Sequence, residues 1–493
     1  MADLSKPQNP STISHWIASN TGPSSLHNYG KDESIPESAD IVIVGAGISG
    51  AMLAYHLTHP EDDKHALPEG THIVILEANE VSSSATGRNG GHFAPSTFVH
   101  MPRLVRPVGK GGAGLSRSQA VNILQHEWDN YQRNIAVIKK HGLEHKVDLH
   151  TGKAMAVYTT EKALASTMKI REDWLAALKE MGVEDWSDGK FYTDKEEAIK
   201  LSRVQGAIGC STRSAGTVHP HKLTTELLKL SLGSTKYKVT LRTSAPVTKL
   251  SQSGSTHTVE TSRGSITAPK VVLCTNAHTP HLFPAGHPFS KIMYPVRIQM
   301  GLFTPPPAFS GIKSLSASYG FPDGYCATSA GGIVVGVGAA DYLEAKVGKP
   351  QDYICQTDIS QVTPEATKFM TGYMEKTFVD WKEKAHGEGL TRSWTGVMSY
   401  TTDLLPLIGP LPGVDGLYVS VGYNGHGMST THTTNRALAR LIASEEWDQD
   451  FPTAYVVSEE RLNRQHAQKF DDYVKIVAGN KLAGPPSEPQ LDS

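Results

Sequence analysis

Cysteine is scarce in this chain of 493 residues: Cys210, Cys274, Cys326 and Cys355 stand far apart and form no CxxC pair. That argues against a zinc site and a disulfide scaffold, and it fits a reducing compartment. No run approaches the roughly 18 apolar residues of a membrane span. There is no block of basic residues, and a net charge of -2 gives no long-range field for nucleic acid or an anionic membrane. His219 with His221, and His426 with His432, lack carboxylate or cysteine partners at metal spacing, so no metal is expected. The first 38 residues carry no arginine, and the terminal "PQLDS" is not a peroxisomal tripeptide. Neither a signal nor a transit peptide is supported, and a soluble cytoplasmic protein is the expectation.

What is present reads as an ordinary globular composition, with 45 glycines and 19% charged residues. The length exceeds one hydrophobic core, so two domains are expected. Residues 1–38 read as a polar arm that lies over the surface or is partly disordered. "DIVIVGAGISGAMLAYHL" and "HIVILE" then give strand, helix, strand, a βαβ unit in a parallel sheet. Helical stretches near 117–141 and 162–181 flank the strand-like "KAMAVYTT", and "GTVHPHKLTTELLKLSL" turns into another helix. From 237 to 274 the short runs "YKVTLRT", "PVTKLSQS" and "THTVETS" suggest a three-stranded meander returning to the buried strand "PKVVLCT". Strands follow in "YPVRIQMGLF" and "GGIVVGVG", then a helix over 363–386 and the strand text "RSWTGVMSYTTDLLPLIG". The α/β pieces are interrupted by mixed pieces, which predicts interleaved domains.

Gly45, Gly47 and Gly50 form G-x-G-x-x-G at the first strand-to-helix turn. The first permits the turn, the second lets a pyrophosphate reach the backbone, and the third lets helix and strand pack, with phosphate at the helix start beside Ile48 and Ser49. Glu77, with Ala78 beside it, ends the next strand, where a carboxylate takes two ribose hydroxyls. Its gap of 27 residues from Gly50 (77 minus 50) is widened by the polar insertion "THPEDDKHALPEG". In "SSSATGRNGGHFAP" the hydroxyls of Ser83, Ser84 and Thr86, the fork of Arg88 and the turn Asn89-Gly90-Gly91 before His92 suit a loop that wraps phosphate and runs under a flat ring. A surface turn with a solvated arginine is the plainer alternative.

A second glycine-rich loop, "GYNGHGM", precedes the helical "STTHTTNRALARL". NAD needs one Rossmann unit, whereas FAD is longer and carries its ring far from the adenine. Tyr423, Asn424, Gly425, His426, Gly427 and Met428 offer a bare backbone that would aim the next helix's positive end at the flavin N1 and C2 carbonyl. An ordinary strand-to-helix turn remains the other reading.

Taken in order, "VIVGAGISGAMLAYHL…VILEANEVSSSATGRNGGH", "PVTKL…VVLCTNAHTP", "WTGVMSYTTDLLPLIG" and "GYNGHGM" resemble the FAD-dependent D-amino-acid oxidase superfamily, in its glycine/sarcosine oxidase and γ-glutamylputrescine oxidase-like branch, over about 40–440. The resemblance implies an α/β fold (α+β overall), in which a glutathione-reductase-like Rossmann FAD domain (39–100, 205–288 and 387–475) is interleaved with an antiparallel-sheet substrate domain (101–204 and 289–386). An N-terminal arm, 1–38, and a C-terminal tail, 476–493, flank them. It implies C–N oxidation by hydride transfer to FAD, the backbone of Val247 against the adenine, and Thr275 and Asn276 close to the pyrophosphate.

Two departures from that pattern matter. Relatives that oxidise α-amino acids place an arginine where this chain has Met398, after Trp394-Thr395-Gly396-Val397. Relatives with covalent flavin use a cysteine at the position of Gly396 or a histidine at that of Asn89, so non-covalent FAD is expected, with His92 the remaining attachment candidate. Tyr325, Trp394 and Tyr400 could line an aromatic pocket over the flavin, although core is an equal use for them. Lys291 is a candidate for oxygen activation or a solvated lysine. The expected activity is oxidation of an amine or amino-acid-like small molecule, with O2 as acceptor. A dehydrogenase passing electrons to a quinone or protein, or a flavin binder without turnover, are the alternatives.

Overall fold

Ile41–Val44 is a run of four β-branched residues, all buried, and only the middle of a sheet covered on both faces accommodates such a run. In the computed structural model, which describes residues 12–321, 324–464 and 470–478, it pairs with His72–Leu76 on one side and Lys270–Leu273 on the other. Val42 is level with both Val74 and Val271. The six-stranded sheet runs in the order Leu407–Pro410, Leu417–Val421, Lys270–Leu273, Ile41–Val44, His72–Leu76, Lys238–Arg242. Every pairing in it is parallel except that of the edge strand Leu407–Pro410. Helix Ile48–Thr58 is buried along its whole length. It lies between Pro220–Leu232 and Thr431–Ser444, which is why it is apolar all round.

The second large sheet has nine strands and is mostly antiparallel. Gly389–Thr401 and Met293–Thr304 form its longest pair. Gly332–Val337, Gly324–Ser329, Ser318–Phe321, His150–Tyr158 and Gly209–Thr217 follow. The one parallel pairing sets Ser318–Gly320 against Ala154–Ala156. The fold is thus a Rossmann-type parallel sheet joined to an antiparallel one, in agreement with the expected class. Among the described residues no helix is long and apolar enough to cross a membrane.

Several local expectations are corrected. Lys238–Arg242 joins the parallel sheet, and the meander is Val247–Ser253, Thr256–Thr261 and Gly264–Ala268. The helix expected over 363–386 is two short pieces, Pro364–Thr371 and Tyr373–Thr377, broken at Gly372. Gly209–Thr217 and Gly389–Thr401 pair in the nine-stranded sheet, so sheet membership cuts across the boundaries read at 205 and 387. The described part of the arm, from residue 12, is mostly exposed or half-buried, but it is anchored. It seats Trp16 at 1% exposure, because an indole of that size is stabilised by removal from water. Residues 1–11 of the arm and 479–493 of the tail lie outside the described residues.

Candidate functional site

Gly45 has φ +109°, and a Cβ there would meet the Cys274 carbonyl oxygen at 2.7 Å. A Cβ on Gly50 would stand 2.0 Å from the Gly45 oxygen, so the helix can start this close to the strand only without a side chain. Around this turn opens a cleft of about 2000 Å³, part of it open to solvent. Its walls take in Gly45, Gly47, Ile48, Ser49, Glu77, Ala78, the loop from Ser82 to His92, Val247, Thr275, Asn276, Gly396, Met398, Tyr325, Tyr423 and the stretch Gly425–Ser429. Residues from both sheets and both glycine-rich loops therefore converge on one space. Gly50, Gly91 and Asn424 shape its walls from behind and do not line it.

Glu77 accepts the amide of Ala46 on Oε2 at 2.8 Å and that of Asn79 on Oε1 at 3.0 Å. Burial raises its pKa, with those amides opposing. A carboxylate has about four acceptor sites, so lone pairs remain for a ligand. Thr86 Oγ1 accepts the Ile48 amide at 3.0 Å and marks the helix start as a place for an anionic oxygen.

The two glycine-rich loops meet through hydroxyls: Ser49 Oγ lies 3.0 Å from Ser420 Oγ, which lies 2.6 Å from the Tyr423 hydroxyl. Asn424, with φ +51°, accepts the Thr401 amide on Oδ1 and donates to the Gly422 carbonyl. The helix after this loop reaches the cleft, but its first-turn amides are already taken. It begins at Thr431, and the amides of His432 and Thr433 both go to Asn130 Oδ1. The residues that line the cleft here are Gly425 to Ser429 and Thr431, with that capped first turn behind them.

Arg88 is a correction. It borders the cleft, but its guanidinium donates to the carbonyls of Ser83, Thr395 and Thr12 and to Thr12 Oγ1, leaving no fork for phosphate. Burial without a carboxylate partner pulls its pKa down to about 10. Asn89 likewise folds into its own turn, donating to the Thr86 carbonyl and accepting the Gly91 amide. Trp394 and Tyr400 are core: Trp394 is fully buried and donates to the Arg88 carbonyl at 2.8 Å, and Tyr400 packs near Tyr294. Lys291 is exposed on the short helix Phe289–Ile292, away from the cleft.

Sequence reasoning missed Ser82, Thr357 and Ser399, which line the cleft with buried hydroxyls that lack a partner. His92 Nδ1 and His426 Nδ1 are in the same condition. Buried polar atoms are nearly always paired, so a bare glycine turn ringed by five unpaired ones fits a ligand that supplies the partners, and a long dinucleotide such as FAD fits the span. Ser82 stood in the quoted serine run, whereas nothing in "QTDIS" marks Thr357. Among the described residues no group of three or more His, Cys, Asp or Glu could hold a metal.

Residues 40–441 match the family model of the DAO, FAD dependent oxidoreductases. The chain is 23% identical over 440 residues to γ-glutamylputrescine oxidoreductase of Escherichia coli strain K12, covering 85% of this chain and 88% of that one. It is 22% identical to mitochondrial dimethylglycine dehydrogenase of Rattus norvegicus, over 80% of this chain and 41% of that one. The fold is similar to glycine oxidase from Geobacillus kaustophilus, with a TM-score of 0.65 at 17% identity, covering 86% of this chain and 99% of that one.

Proposed function

The chain belongs to the DAO family of FAD-dependent oxidoreductases, and on that premise we propose that it oxidises amines whose reacting carbon carries no carboxylate, with dioxygen as acceptor. Its cofactor is FAD, and it acts on the C–N bond of an amine or amino acid. The chemistry that the flavin supplies when bound is acceptance of a hydride from the carbon beside the nitrogen. The glycine turn and Glu77 would hold pyrophosphate and ribose, Val247 the adenine, and His426 to Met428 the ring edge. The parallel sheet then serves the cofactor and the nine-stranded sheet the substrate.

Met398 carries the substrate reading. It lines the cleft from strand Gly389–Thr401, and the only lysine or arginine among the cleft's described walls is Arg88, four of whose five donors are taken, which leaves no bidentate fork. Arg297, across from Val397 on the next strand, is also committed, to the carbonyls of Asp352 and Asp358 and to Thr363 Oγ1. An α-carboxylate buried here would lack its cation, which is costly, whereas a thioether receives a methylene chain. An amine must lose its proton before oxidation. Burial and the charge of Arg213 pull His92 down to about 4, and burial with Arg103 and other neighbours depresses His426, so both are neutral at neutral pH and serve as hydrogen-bond acceptors for an amine N–H, not as bases for an ammonium proton.

The test compares kcat/KM for an amine and its α-carboxylated analogue in wild type and Met398→Arg. Wild type is expected to favour the amine and the variant to shift toward the acid. A wild-type preference for the acid of tenfold, about 1.4 kcal/mol, would sink the reading. Dioxygen reaches an apolar wall such as Ile298, Val337 and Val397 by diffusion, and one peroxide per amine oxidised is expected. Dye reduction without oxygen uptake would favour a dehydrogenase, and failure of every amine to bleach the flavin would favour a binder without turnover. Acid precipitation is expected to leave the flavin in the supernatant, because a side chain at Gly396 would start 3.0 Å from Arg88 Cβ and Asn89 is used in its turn. Yellow precipitate would instead implicate His92.

A further inference from the structure

A second, smaller chamber shares His92, Tyr325 and His426 with the cleft and is closed by Ser96, His100 and Arg213. Arg213 stands on strand Gly209–Thr217 level with Ala154, which is itself level with Ser318. Small side chains beside the guanidinium leave the space open. Its Nε donates to the Pro95 carbonyl at 2.7 Å, which fixes the group. Among the described residues no acceptor takes its terminal nitrogens and no carboxylate forms an ion pair with it. Glu127 and Asp188 act on it only through space: Glu127 accepts the Ser96 amide, and Asp188 is held by Lys153 and Ser214.

The rest of the lining mixes small and apolar side chains, Ala94, Val99, Ala154 and Met155 among them, with buried polar groups. The Nδ1 atoms of His92, His100 and His426 are buried without hydrogen bonds, while the Ser96 hydroxyl faces Glu127. The rings of His100 and His426 stand 4.8 Å apart, and those of His92 and Tyr325 4.9 Å apart. Burial first, then nearby arginine charge, keeps the three imidazoles neutral at neutral pH. The guanidinium is therefore the one cation of the chamber's described walls, and it is poised for an anion that the protein does not supply.

We propose that this chamber takes the carboxylate of the substrate, and that the substrate is an amino acid whose carboxylate lies several bonds from the oxidised carbon. The inference rests on the amine-oxidation reading and deepens it. On that reading the reacting carbon would lie against Met398 in the cleft, and His92 and Tyr325, which line both spaces, stand between the cleft and the chamber of Arg213. An α-carboxylate, one bond from the reacting carbon, would stay on the cleft side of those rings, whereas a spacer of a few methylenes would carry the carboxylate toward Arg213.

The test uses holoenzyme and matched compounds: pentylamine, δ-aminovalerate and the α-amino acid norvaline, compared by anaerobic flavin bleaching, with binding of valerate measured by calorimetry. δ-Aminovalerate is expected to exceed both others in kcat/KM by about tenfold or more, and valerate is expected to bind. Arg213→Gln should lower the δ-aminovalerate to pentylamine ratio by about 30-fold or more and weaken valerate to match. Arg213→Lys should restore part of both, and it stands in if the glutamine variant fails to fold. Equal rates for δ-aminovalerate and pentylamine, preference for norvaline, or valerate binding insensitive to Arg213 would each overturn the proposal while leaving amine oxidation intact. If no compound bleaches the flavin, the amine-oxidation reading falls, and Arg213-dependent valerate binding still decides the chamber.

Discussion

Glu77→Ala is expected to give a folded chain that purifies nearly free of FAD. The carboxylate ends strand His72–Leu76 and is pinned by the Ala46 and Asn79 amides at 2.8 and 3.0 Å, so its remaining lone pairs are fixed toward the cleft. Two charge-assisted hydrogen bonds to a ribose contribute about 1.5–3 kcal/mol each, hence a loss of affinity of about a hundredfold or more. The strand itself is secured by its buried apolar residues and both neighbours, which the substitution does not touch. Glu77→Gln keeps one acceptor and should fall between. The measurement is the flavin-to-protein absorbance ratio together with quenching of FAD fluorescence on titration. Unchanged affinity in Glu77→Ala would mean that the ribose is held elsewhere.

Trp16→Ala should cost about 3–5 kcal/mol of stability, the range for emptying a buried indole site. The ring packs with Ile298, Met300 and Trp394 and donates to the Asn89 carbonyl at 2.7 Å, while Trp394 donates to the neighbouring Arg88 carbonyl. Two indoles thus grip consecutive carbonyls of the cofactor loop, and Ser14 Oγ holds the preceding one, of Gly87. Losing Trp16 leaves the Asn89 carbonyl without that partner and loosens the loop, so FAD should also leave faster on dilution. Trp16→Phe keeps most of the volume and loses the hydrogen bond, about 1 kcal/mol, plus a smaller cavity cost, so it should fall well short of Trp16→Ala. Denaturant unfolding and stopped-flow FAD release check both effects. A cost under about 0.5 kcal/mol, typical of an exposed residue, would mean that the arm merely rests on the surface.

The features legible in the sequence were those whose cause is local. A β-branched run, three glycines at fixed spacing and a carboxylate at the next strand end specify their conformation within about 40 residues, and the turn, sheet and cleft follow. Trp16 was illegible because "HWIA" is too short for a period, and its hydrogen-bond partner lies 73 residues away. Arg88 was misread because its acceptor at Thr395 is 307 residues distant, and Trp394 was left open between core and pocket because burial on a strand depends on which face the partners cover. Gly209–Thr217 carries Gly, Ser, Thr and Ala with little apolar pattern. It is a strand because His150–Tyr158 pairs along its whole length, so the placement of Arg213 could not be read locally.

The position of Ile41–Val44 in its sheet also sets a schedule for synthesis. One neighbour follows within a short helix, but the other begins at Lys270, 229 residues later (270 minus 41). At roughly 5–20 residues per second a ribosome needs roughly 10–50 s to make that stretch. Throughout it, one edge of the strand presents unpaired amides and carbonyls. Thr275 and Asn276, which wall the cleft, emerge only after that strand, and the loop of Tyr423 later still. The complete cleft therefore exists only once Ser429 and Thr431 have been made, and until then the edge of Ile41–Val44 that awaits Lys270–Leu273 is the segment most open to mispairing.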